Sequence, residues 1–515
     1  MKRFSFLLSL LLTFTAVAGQ LKIGWATSDA STDRPVFLQG LNHRRVSQGL
    51  RDPITITALV IDNGEDFVIF NSWDTSCVFG TVAKRVRAGV AQKLPDFPVE
   101  KIIFNAIHTH TGPSTGPGYD DPESINYRNM FIDKAVDTIV SAWNNRKPGK
   151  IGYGYDFAVT CFSRRPVYFD DLRKRPGKDG KPKTPGLSPD IHAKLHGDSN
   201  DPMFSHMEAA PDPFVNFLFT YDMNDKLTGM IFNIAFPSQV SLPDMKLGSD
   251  CWSDIRRELK KEFGDIYLLP QCAAAGDLTY KIPYYNKATK RKHELLFGRK
   301  EAFPGEFERR RCTEQMMAAL HRTLPWAGKE LYGDLPLRHI STTLHLKRFY
   351  ASEERIREAE ENLVKLQELK KDKSIDPKKK KRVNDALWRN KKILALNDEI
   401  KKKPTWAMEF HVLRIGEVAF VSERYELYTD FGQRIQARSP FTQTFTIQLS
   451  AGLPDLPGFV GAYLPTARSL PNGGYQSHPL NNYNSPSPEG GQQMVDEAVR
   501  LLYDLKKDDE AEAKK

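Results

Sequence analysis

The run KIIFNAI, from Lys101 to Ile107, constrains the fold most strongly, because it is apolar on both faces. Such a strand has to be covered on both sides, and we expect helices to provide both covers. Between Leu21 and this run, the strand-like segments ALVIDN and DFVIFNS are followed by TVAKRVRAGVAQKL, whose apolar residues have helical spacing. Asn63-Gly64 predicts an antiparallel hairpin between the two strands. The pattern is β-β-α-β, and we predict the α/β class, with mixed β-sheets flanked by helices.

The same alternation continues further along the chain. NFLFTYDM and GMIFNIAF read as strands joined by a turn at Asn224-Asp225, and they are followed by a helix at SDIRRELKKEF and a strand in DIYLLPQCAAAGD. HVLRIGEVAFVSE is strand-like and YTDFGQRIQAR is helical. The segment from Arg164 to Pro213, rich in Pro, Asp and His, lacks periodicity, and we expect a long surface excursion there.

The positive charge of the chain is concentrated in one segment. The chain has 74 Lys+Arg and 64 Asp+Glu, a formal charge of +10, and residues 351–403 contribute 17 Lys+Arg and 11 Asp+Glu. The rest is mildly basic, so we expect no nucleic-acid partner. Residues 351–403 predict a charged helical hairpin, broken between Ser374 and Pro377, inserted in the main domain. It is either a solvated insertion with one apolar seam or an arm for a partner or a membrane surface.

The first 18 residues, MKRFSFLLSLLLTFTAVA, have a basic start, an apolar run and small residues at a cleavage position. This pattern is typical of a secretory signal peptide, and we expect cleavage near Ala18 and a secreted or periplasmic protein. No other apolar run is long enough to predict a transmembrane segment. The five cysteines are scattered among apolar neighbours, which favours buried free thiols, with one disulfide as the alternative. A single domain is expected over residues 19–502, with a frayed charged tail at 503–515.

Two histidines, His108 and His110, follow the KIIFNAI strand in the segment HTHTGP. Alternate residues of an extended chain point to the same side, so both imidazoles are expected to face one cavity. One would be a metal ligand and the other an acid/base or a substrate contact. Two hydrogen-bonded core histidines are the alternative. The common nucleotide-binding, zincin and α/β-hydrolase motifs are missing from the sequence.

At HTHTGP the sequence resembles the neutral, non-lysosomal ceramidases and their bacterial relatives. Further segments extend the resemblance over roughly Leu21 to Leu502: GLNHRRVSQGLRDPITITALVIDNG, LLPQCAAAGDLT, GEVAFVSERYELYTDFGQRIQARSP, and GAYLPT with Gly473-Gly474-Tyr475. The resemblance implies a ceramidase-like α/β catalytic domain. It also implies that the additional C-terminal β-domain of the long ceramidases is absent from this chain.

The resemblance implies zinc-dependent cleavage of an N-acyl amide bond in a ceramide-like lipid or another small-molecule amide. The implied zinc ligands are His108, Glu426 and Tyr463. His110 would contact the substrate or shuttle a proton, and Asp277 and Thr279 occupy the family's Gly-Asp-x-Ser loop. A zinc ion with an open position lowers the pKa of its water to about 7 and polarises an amide carbonyl. Nothing in the sequence indicates an oligomeric state.

Two departures from the family pattern stand out. The family's second zinc histidine has no counterpart at Phe236-Pro237, and the candidates for its replacement are His478, His206 and Asp250. Thr279 stands where the family has serine and keeps a hydroxyl. The alternative function is therefore a catalytically altered or inactive binding protein. A third reading is carbohydrate or cell-wall binding by residues 190–213. Three more residues are either cavity-wall groups or surface salt-bridge partners: Asp74, Arg164 and Arg165.

Overall fold

The computed structural model describes residues 19–41, 43–177, 180–372, 374–450, 463–478, 480 and 485–512. The predicted signal peptide, residues 1–18, lies outside these ranges, as do the last three residues of the predicted tail and the Gly461-Ala462 start of GAYLPT. In the described part of the chain, no helix is both long and apolar enough to cross a membrane.

The strands are β1 Gly19–Gln20, β2 Lys22–Asp29, β3 Phe37–Leu38, β4 Arg45–Val46, β5 Thr55–Asp62, β6 Phe67–Trp73, β7 Ile102–Ala106, β8 Lys147–Phe157, β9 Phe162–Ser163, β10 Pro166–Tyr168, β11 Phe204–Met207, β12 Phe214–Asp222, β13 Leu227–Ile234, β14 Tyr267–Cys272, β15 Leu278–Thr279, β16 Asp334–Leu335, β17 Leu337–Lys347, β18 Thr405–Ile415, β19 Val418–Ser422, β20 Glu426–Leu427, β21 Gln443–Ile447 and β22 Tyr463–Leu464. The helices are α1 Gly80–Lys93, α2 Pro122–Asn144, α3 Cys251–Phe263, α4 Asn286–Phe297, α5 Glu306–Ala327, α6 Glu353–Lys371, α7 Pro377–Lys402, α8 Thr429–Arg438 and α9 Pro488–Glu512.

Two sheets form the centre of the molecule. The larger sheet has the order β14-β13-β12-β8-β2-β5-β6-β7, and the smaller has the order β17-β18-β19-β21. The pairs β13–β14, β6–β7 and β19–β21 are parallel, and their other neighbours within the two sheets are antiparallel. The expected α/β class with mixed sheets and flanking helices is therefore confirmed.

The sheets pack face to face because alternate residues of their strands point into a shared core. Phe70 of the large sheet contacts Phe420 of the small sheet, with ring centroids 4.9 Å apart, and Phe445 lies 4.5 Å from Phe420. The other face of the large sheet is covered by α1, α2, α3 and α5, and the small sheet is covered by α8 and α9. The molecule is layered as helix, sheet, sheet, helix.

The KIIFNAI strand, β7, is buried on both faces, but only one cover is helical. Ile102 and Phe104 pack in the core beneath α1 and α2, whereas Ile103 joins the core between the sheets. The expectation of helices on both sides is wrong for the second face. A fully apolar strand sequence predicts burial on both faces, but it does not show whether a helix or a second sheet covers each face.

The predicted turns and helices follow from local chemistry. Gly64 has a φ of +87°, and the side chains of Asp62 and Asn63 accept hydrogen bonds from backbone N–H groups of the turn between β5 and β6. The predicted antiparallel pairing of these strands is confirmed. Asp376 caps α7, with Pro377 at its first position, so the two charged helices separate where the sequence predicts a break.

The two charged helices α6 and α7 pack along an apolar seam, which buries Leu366, Leu387, Ile393 and Leu396. They connect β17 to β18, which pair from Leu337↔Ile415 to Lys347↔Thr405. The pair thus projects from the end of one β-hairpin. That it is an insertion into a ceramidase-like domain stays a prediction. The final helix continues to Glu512, into the segment for which the sequence predicts fraying.

The prediction of free, buried cysteines is confirmed, whereas the prediction of a surface excursion is wrong at the start of that segment. All five cysteines are buried and free, as predicted. The excursion is not superficial at its start, because Arg164 and Arg165 are 5% and 0% exposed. Arg165 forms an ion pair with Glu208 and donates to the Gly473 carbonyl, which allows a guanidinium to be buried. Polar composition indicated a surface loop because the sequence does not show these distant partners.

Candidate active site

His108 lies where the chain leaves β7. The strand ends at Ala106, and His108 has a φ of +65°, in the left-handed region that side chains rarely adopt. The chain turns here, so the prediction that His108 and His110 alternate along an extended segment is wrong. The turn nevertheless brings the two rings into edge-to-face contact, with centroids 4.9 Å apart. The imidazoles meet because of the turn and not because of strand spacing.

The ring of His108 is oriented by its Nδ1 atom, which lies 2.6 Å from the backbone carbonyl of Ser76. A carbonyl only accepts, so Nδ1 carries the proton and Nε2 carries a lone pair. Among the described residues this buried Nε2 has no hydrogen-bond partner, and it lies 3.3 Å from Oε2 of Glu426. Two acceptors that face each other at this distance need a cation between them, either a proton or a metal ion.

Glu426 is placed beside Tyr463 by strand pairing. The two residues are direct partners in the parallel pair β20–β22. Burial raises the pKa of Glu426, but a proton held between it and His108, the Arg164 cation and the Tyr463 hydroxyl outweigh burial and lower it overall. Burial also raises the pKa of the Tyr463 phenol well above its ordinary value, and Arg164 opposes that shift. The site thus holds an ionised carboxylate beside a neutral phenol.

Arg164 lies beside both Glu426 and Tyr463. Its Nη2 atom donates to the Gly276 carbonyl at 2.7 Å and lies 3.6 Å from Oε2 of Glu426. The guanidinium carbon is 5.1 Å from the centre of the Tyr463 ring. The surface salt-bridge role is wrong for Arg164, since it is buried beside Glu426 and Tyr463, and its place in a cavity wall stays a prediction.

The His110 ring contacts Gln239 and packs against Gly40. Nε2 of His110 lies 3.0 Å from Nε2 of Gln239, which can only donate, so the histidine accepts there and carries its proton on Nδ1. That Nδ1 is buried and has no hydrogen-bond partner in the described part of the chain. Burial, His108, Arg45 and Arg164 lower the pKa of His110 well below its ordinary value, so the ring is neutral. A Cβ atom on Gly40 would lie 2.4 Å from Cγ of this ring.

Asp277 contacts the start of α8, whereas Thr279 lies in the short strand β15. Oδ1 of Asp277 accepts from the Thr429 amide at 3.0 Å, and Oδ2 accepts from the Thr429 hydroxyl at 3.2 Å. Its carboxyl group therefore faces the start of α8, and burial raises its pKa to about 6. Thr279 is buried in β15 opposite Phe162, and its hydroxyl accepts from the Lys281 amide at 3.5 Å. The structure brings His108, His110, Glu426 and Tyr463 together, and the catalytic roles of Asp277 and Thr279 stay predictions.

The position of the missing histidine is apolar. Phe236 follows β13, is fully buried, and accepts through its backbone carbonyl from the Cys272 thiol. Asp250 caps α3 and accepts from the Ser241 and Cys251 amides, and His206 is exposed on β11. Nowhere in the described ranges do three His, Cys, Asp or Glu side chains form a group that would hold a metal ion. None of the proposed replacements, His478 included, therefore joins His108 and Glu426 in such a group.

The types of donor present nevertheless suit a zinc ion with three protein ligands. His108 offers an unpartnered Nε2 with its Nδ1 held by a carbonyl, Glu426 offers a carboxylate oxygen, and Tyr463 offers a phenol oxygen. Catalytic zinc sites commonly use three protein ligands and one open position. An imidazole whose second nitrogen donates to a carbonyl is the usual form of a zinc-bound histidine.

Several contacts of the site carry no local sequence signal. Gln239 orients His110, Ser76 orients His108 through its backbone, and Gly40 leaves room for the His110 ring. Asp74 is also buried, and it accepts from Thr55 and pairs with Arg256. The surface salt-bridge reading is therefore wrong for Asp74, as it is for Arg165.

No family model matches the sequence, and no curated protein matches it. Solved structures that share the fold include two ceramidases. A ceramidase complexed with C2 matches with a TM-score of 0.61 and 14% identity, covering 95% of this chain and 75% of that one. The neutral ceramidase from Pseudomonas aeruginosa matches with a TM-score of 0.59 and 15% identity, covering 94% and 75%. The chain thus has a neutral ceramidase-like fold, which confirms the resemblance at the level of the fold.

Proposed function

We propose that this chain is an exported hydrolase that cleaves an N-acyl amide bond, in a ceramide-like lipid or another amide. The observation that carries the proposal is the unpartnered Nε2 of His108 at 3.3 Å from Glu426, with Tyr463 in register beside it. This group lies within a fold shared with a ceramidase complexed with C2. Residues more than 300 positions apart in the sequence meet here, which a chance motif similarity would not require.

His108, Glu426 and Tyr463 would hold the zinc ion. When bound, zinc would supply Lewis-acid chemistry, lowering the pKa of water to about 7 and polarising the amide carbonyl. The Ser76 carbonyl keeps the lone pair of His108 on Nε2, on the side of Glu426. Arg164, fixed on the Gly276 carbonyl, favours the ionised form of Glu426.

His110 would contact the substrate. Its ring is neutral, its Nε2 accepts from Gln239, and its Nδ1–H remains available to donate to an amide oxygen. A donor placed in a buried site costs no reorganisation when charge develops on that oxygen. His110 would also be a candidate to shuttle a proton toward the departing amine.

Fatty-acid release from a short-chain fluorescent ceramide, with added zinc and with chelator, tests the proposal. We expect release with zinc, loss with chelator, and loss of at least about 100-fold for His108→Ala. His206→Ala, which removes an exposed imidazole, is the matched control and should retain activity. Absence of release by folded protein in both conditions would exclude ceramide, and a panel of other N-acyl amides would then test the remaining substrates.

A second candidate is a catalytically altered or inactive binding protein. It is favoured by the buried Phe236 at the position of the missing histidine and by Arg164, whose cation already lies 3.6 Å from Glu426. Metal analysis separates the two candidates. Zinc that is bound stoichiometrically by the purified protein and lost in His108→Ala supports the hydrolase. A protein that binds no zinc at micromolar concentration supports the alternative.

A further inference from the structure

Helix α4 and the residues just before it form an exposed apolar surface. Tyr284, Tyr285, Leu295 and Leu296 are 54%, 64%, 69% and 62% exposed, and no residue of α4 is buried. Large apolar side chains are common singly on protein surfaces, but four within 13 positions of one short segment are not isolated residues. We name these four residues, together with Lys287, Arg291 and Lys292, the α4 surface.

The same segment is strongly basic. Residues 281–300 contain seven Lys+Arg and one acidic residue, Glu294. Lys290 lies 3.8 Å from Glu294, and Arg299 pairs with Glu306. Within the described part of the chain, no acidic side chain lies within ion-pair distance of Lys287, Arg291 or Lys292. Their charges are therefore available to an external anion.

Helix α4 carries its basic and its apolar side chains on the same side. Lys287, Arg291 and Leu295 are four positions apart and lie along one row of the helix, and Lys292 and Leu296 form the adjacent row. The opposite side is fixed to the body of the protein, since Phe297 stacks on Phe307 of α5 with centroids 3.9 Å apart. His293 also contacts Phe307, at 5.2 Å. The tyrosines precede the first turn.

We propose that the α4 surface docks on an anionic lipid bilayer. Lysine and arginine beside leucine and tyrosine are the composition of helices that lie in a membrane interface, where cations meet anionic headgroups and apolar side chains enter the acyl boundary. A nucleic-acid site would use the cations but would gain nothing from two exposed leucines. Thr279 precedes Tyr284 by five residues, so an extended chain limits their separation to about 18 Å. Tyr284, at the edge of the α4 surface, therefore lies within that distance of β15.

Sedimentation with vesicles tests this without any measurement of catalysis, so it does not depend on the proposed hydrolase activity. The vesicles are phosphatidylcholine alone or phosphatidylcholine with phosphatidylglycerol. We expect binding to the anionic vesicles at low salt and at least about tenfold weaker binding to the neutral ones. K287E/R291E/K292E should weaken anionic binding at least about tenfold, and L295S/L296S should also weaken it.

The matched control is K378E/K379E/K380E, which reverses three exposed lysines of α7 and should bind like the wild type. All proteins carry the same N-terminus, so residues 1–18 cannot account for a difference, and circular dichroism checks the fold. Three results would overturn the proposal. The wild-type protein does not bind the anionic vesicles, the α7 variant loses as much binding as K287E/R291E/K292E, or L295S/L296S binds as well as the wild type. The last result would show attraction to any polyanion.

Discussion

At the scale of single residues, the candidate site depends on where protons and lone pairs lie. His108 faces Glu426 with a lone pair because Ser76 fixes its tautomer, and His110 accepts from Gln239 because an amide nitrogen can only donate. His108 also has a positive φ, which costs about 1–2 kcal/mol for a residue with a Cβ. Such strain is retained where the surrounding contacts determine the conformation, as at functional sites.

The His110 ring gives a prediction at this scale, because Gly40 packs directly against it. Gly40→Ala would place a Cβ atom 2.4 Å from Cγ of His110, so the ring has to leave the position in which it contacts Gln239. We expect at least about a tenfold loss of ceramide hydrolysis, since misplacement of a positioned group by about 1 Å can cost 100-fold.

Gly49→Ala is the matched control for that variant. Gly49 has a φ of +102° and Gly40 a φ of +115°, so both substitutions strain the backbone, but nothing lies within 4 Å of a Cβ at Gly49. We expect similar melting temperatures for the two variants and activity loss in Gly40→Ala only. Equal activity of Gly40→Ala and Gly49→Ala would show that the position of the His110 ring does not affect hydrolysis.

At the scale of elements, Asp277 joins two segments that are far apart in sequence. Helix α8 has no side-chain cap from its own N-cap residue, Tyr428, and Asp277 accepts from the backbone amide and hydroxyl of Thr429 instead. The loop after β14 thereby fixes the start of α8 and, with it, the strand β20 that carries Glu426. A carboxylate near a helix N-terminus is also favoured by the helix dipole.

Asp277 predicts a pH dependence of stability. Burial raises its pKa to about 6 in the folded protein, above the unfolded value of about 3.9. A raised carboxyl pKa contributes stability that is present at low pH and lost as the pH rises through about 6. The free energy of unfolding of the wild type should therefore fall between pH 4 and 7 relative to Asp277→Asn, by about 3 kcal/mol at most.

Urea unfolding at each pH measures this difference. Asp120→Asn, which changes a side chain that is 75% exposed, controls for the loss of one surface carboxylate and should track the wild type. Parallel pH profiles for the wild type and Asp277→Asn would show that Asp277 ionises similarly in the folded and unfolded states. In that case the buried position of Asp277 would not perturb its titration.

At the scale of the whole molecule, the two sheets share one core. Phe420 of the small sheet contacts both Phe70 and Phe445, and all three side chains are fully buried. The candidate site depends on this packing, because His108 follows a strand of the large sheet and Glu426 follows a strand of the small one. A shift of one sheet on the other would separate the two residues.

Phe420→Ala tests this shared core. Truncating a buried phenylalanine commonly costs about 3–5 kcal/mol, and we expect a loss in that range. The control is Phe169→Ala, whose side chain is 69% exposed and should cost less than about 1 kcal/mol. Urea unfolding followed by far-ultraviolet circular dichroism and by tryptophan fluorescence should give coincident transitions for each variant. Two separate transitions would show that the sheets unfold independently.

The local features of this protein could be predicted from neighbouring residues. Apolar periodicity identified the strands around β7, Asn63-Gly64 identified their turn, and Asp376-Pro377 identified the break between α6 and α7, because each depends on neighbouring residues alone. Motif similarity also named His108, Glu426 and Tyr463, which the structure places together.

The arrangement of those residues depends on contacts between distant segments of the chain. The Glu426–Tyr463 register, the burial of Arg164 and the contact of Gln239 with His110 each join segments more than 30 positions apart. A second sheet, instead of helices, covers one face of β7. Burial and pairing with distant partners set the charge of a side chain and the direction in which it points, and no local pattern in the sequence contains those partners.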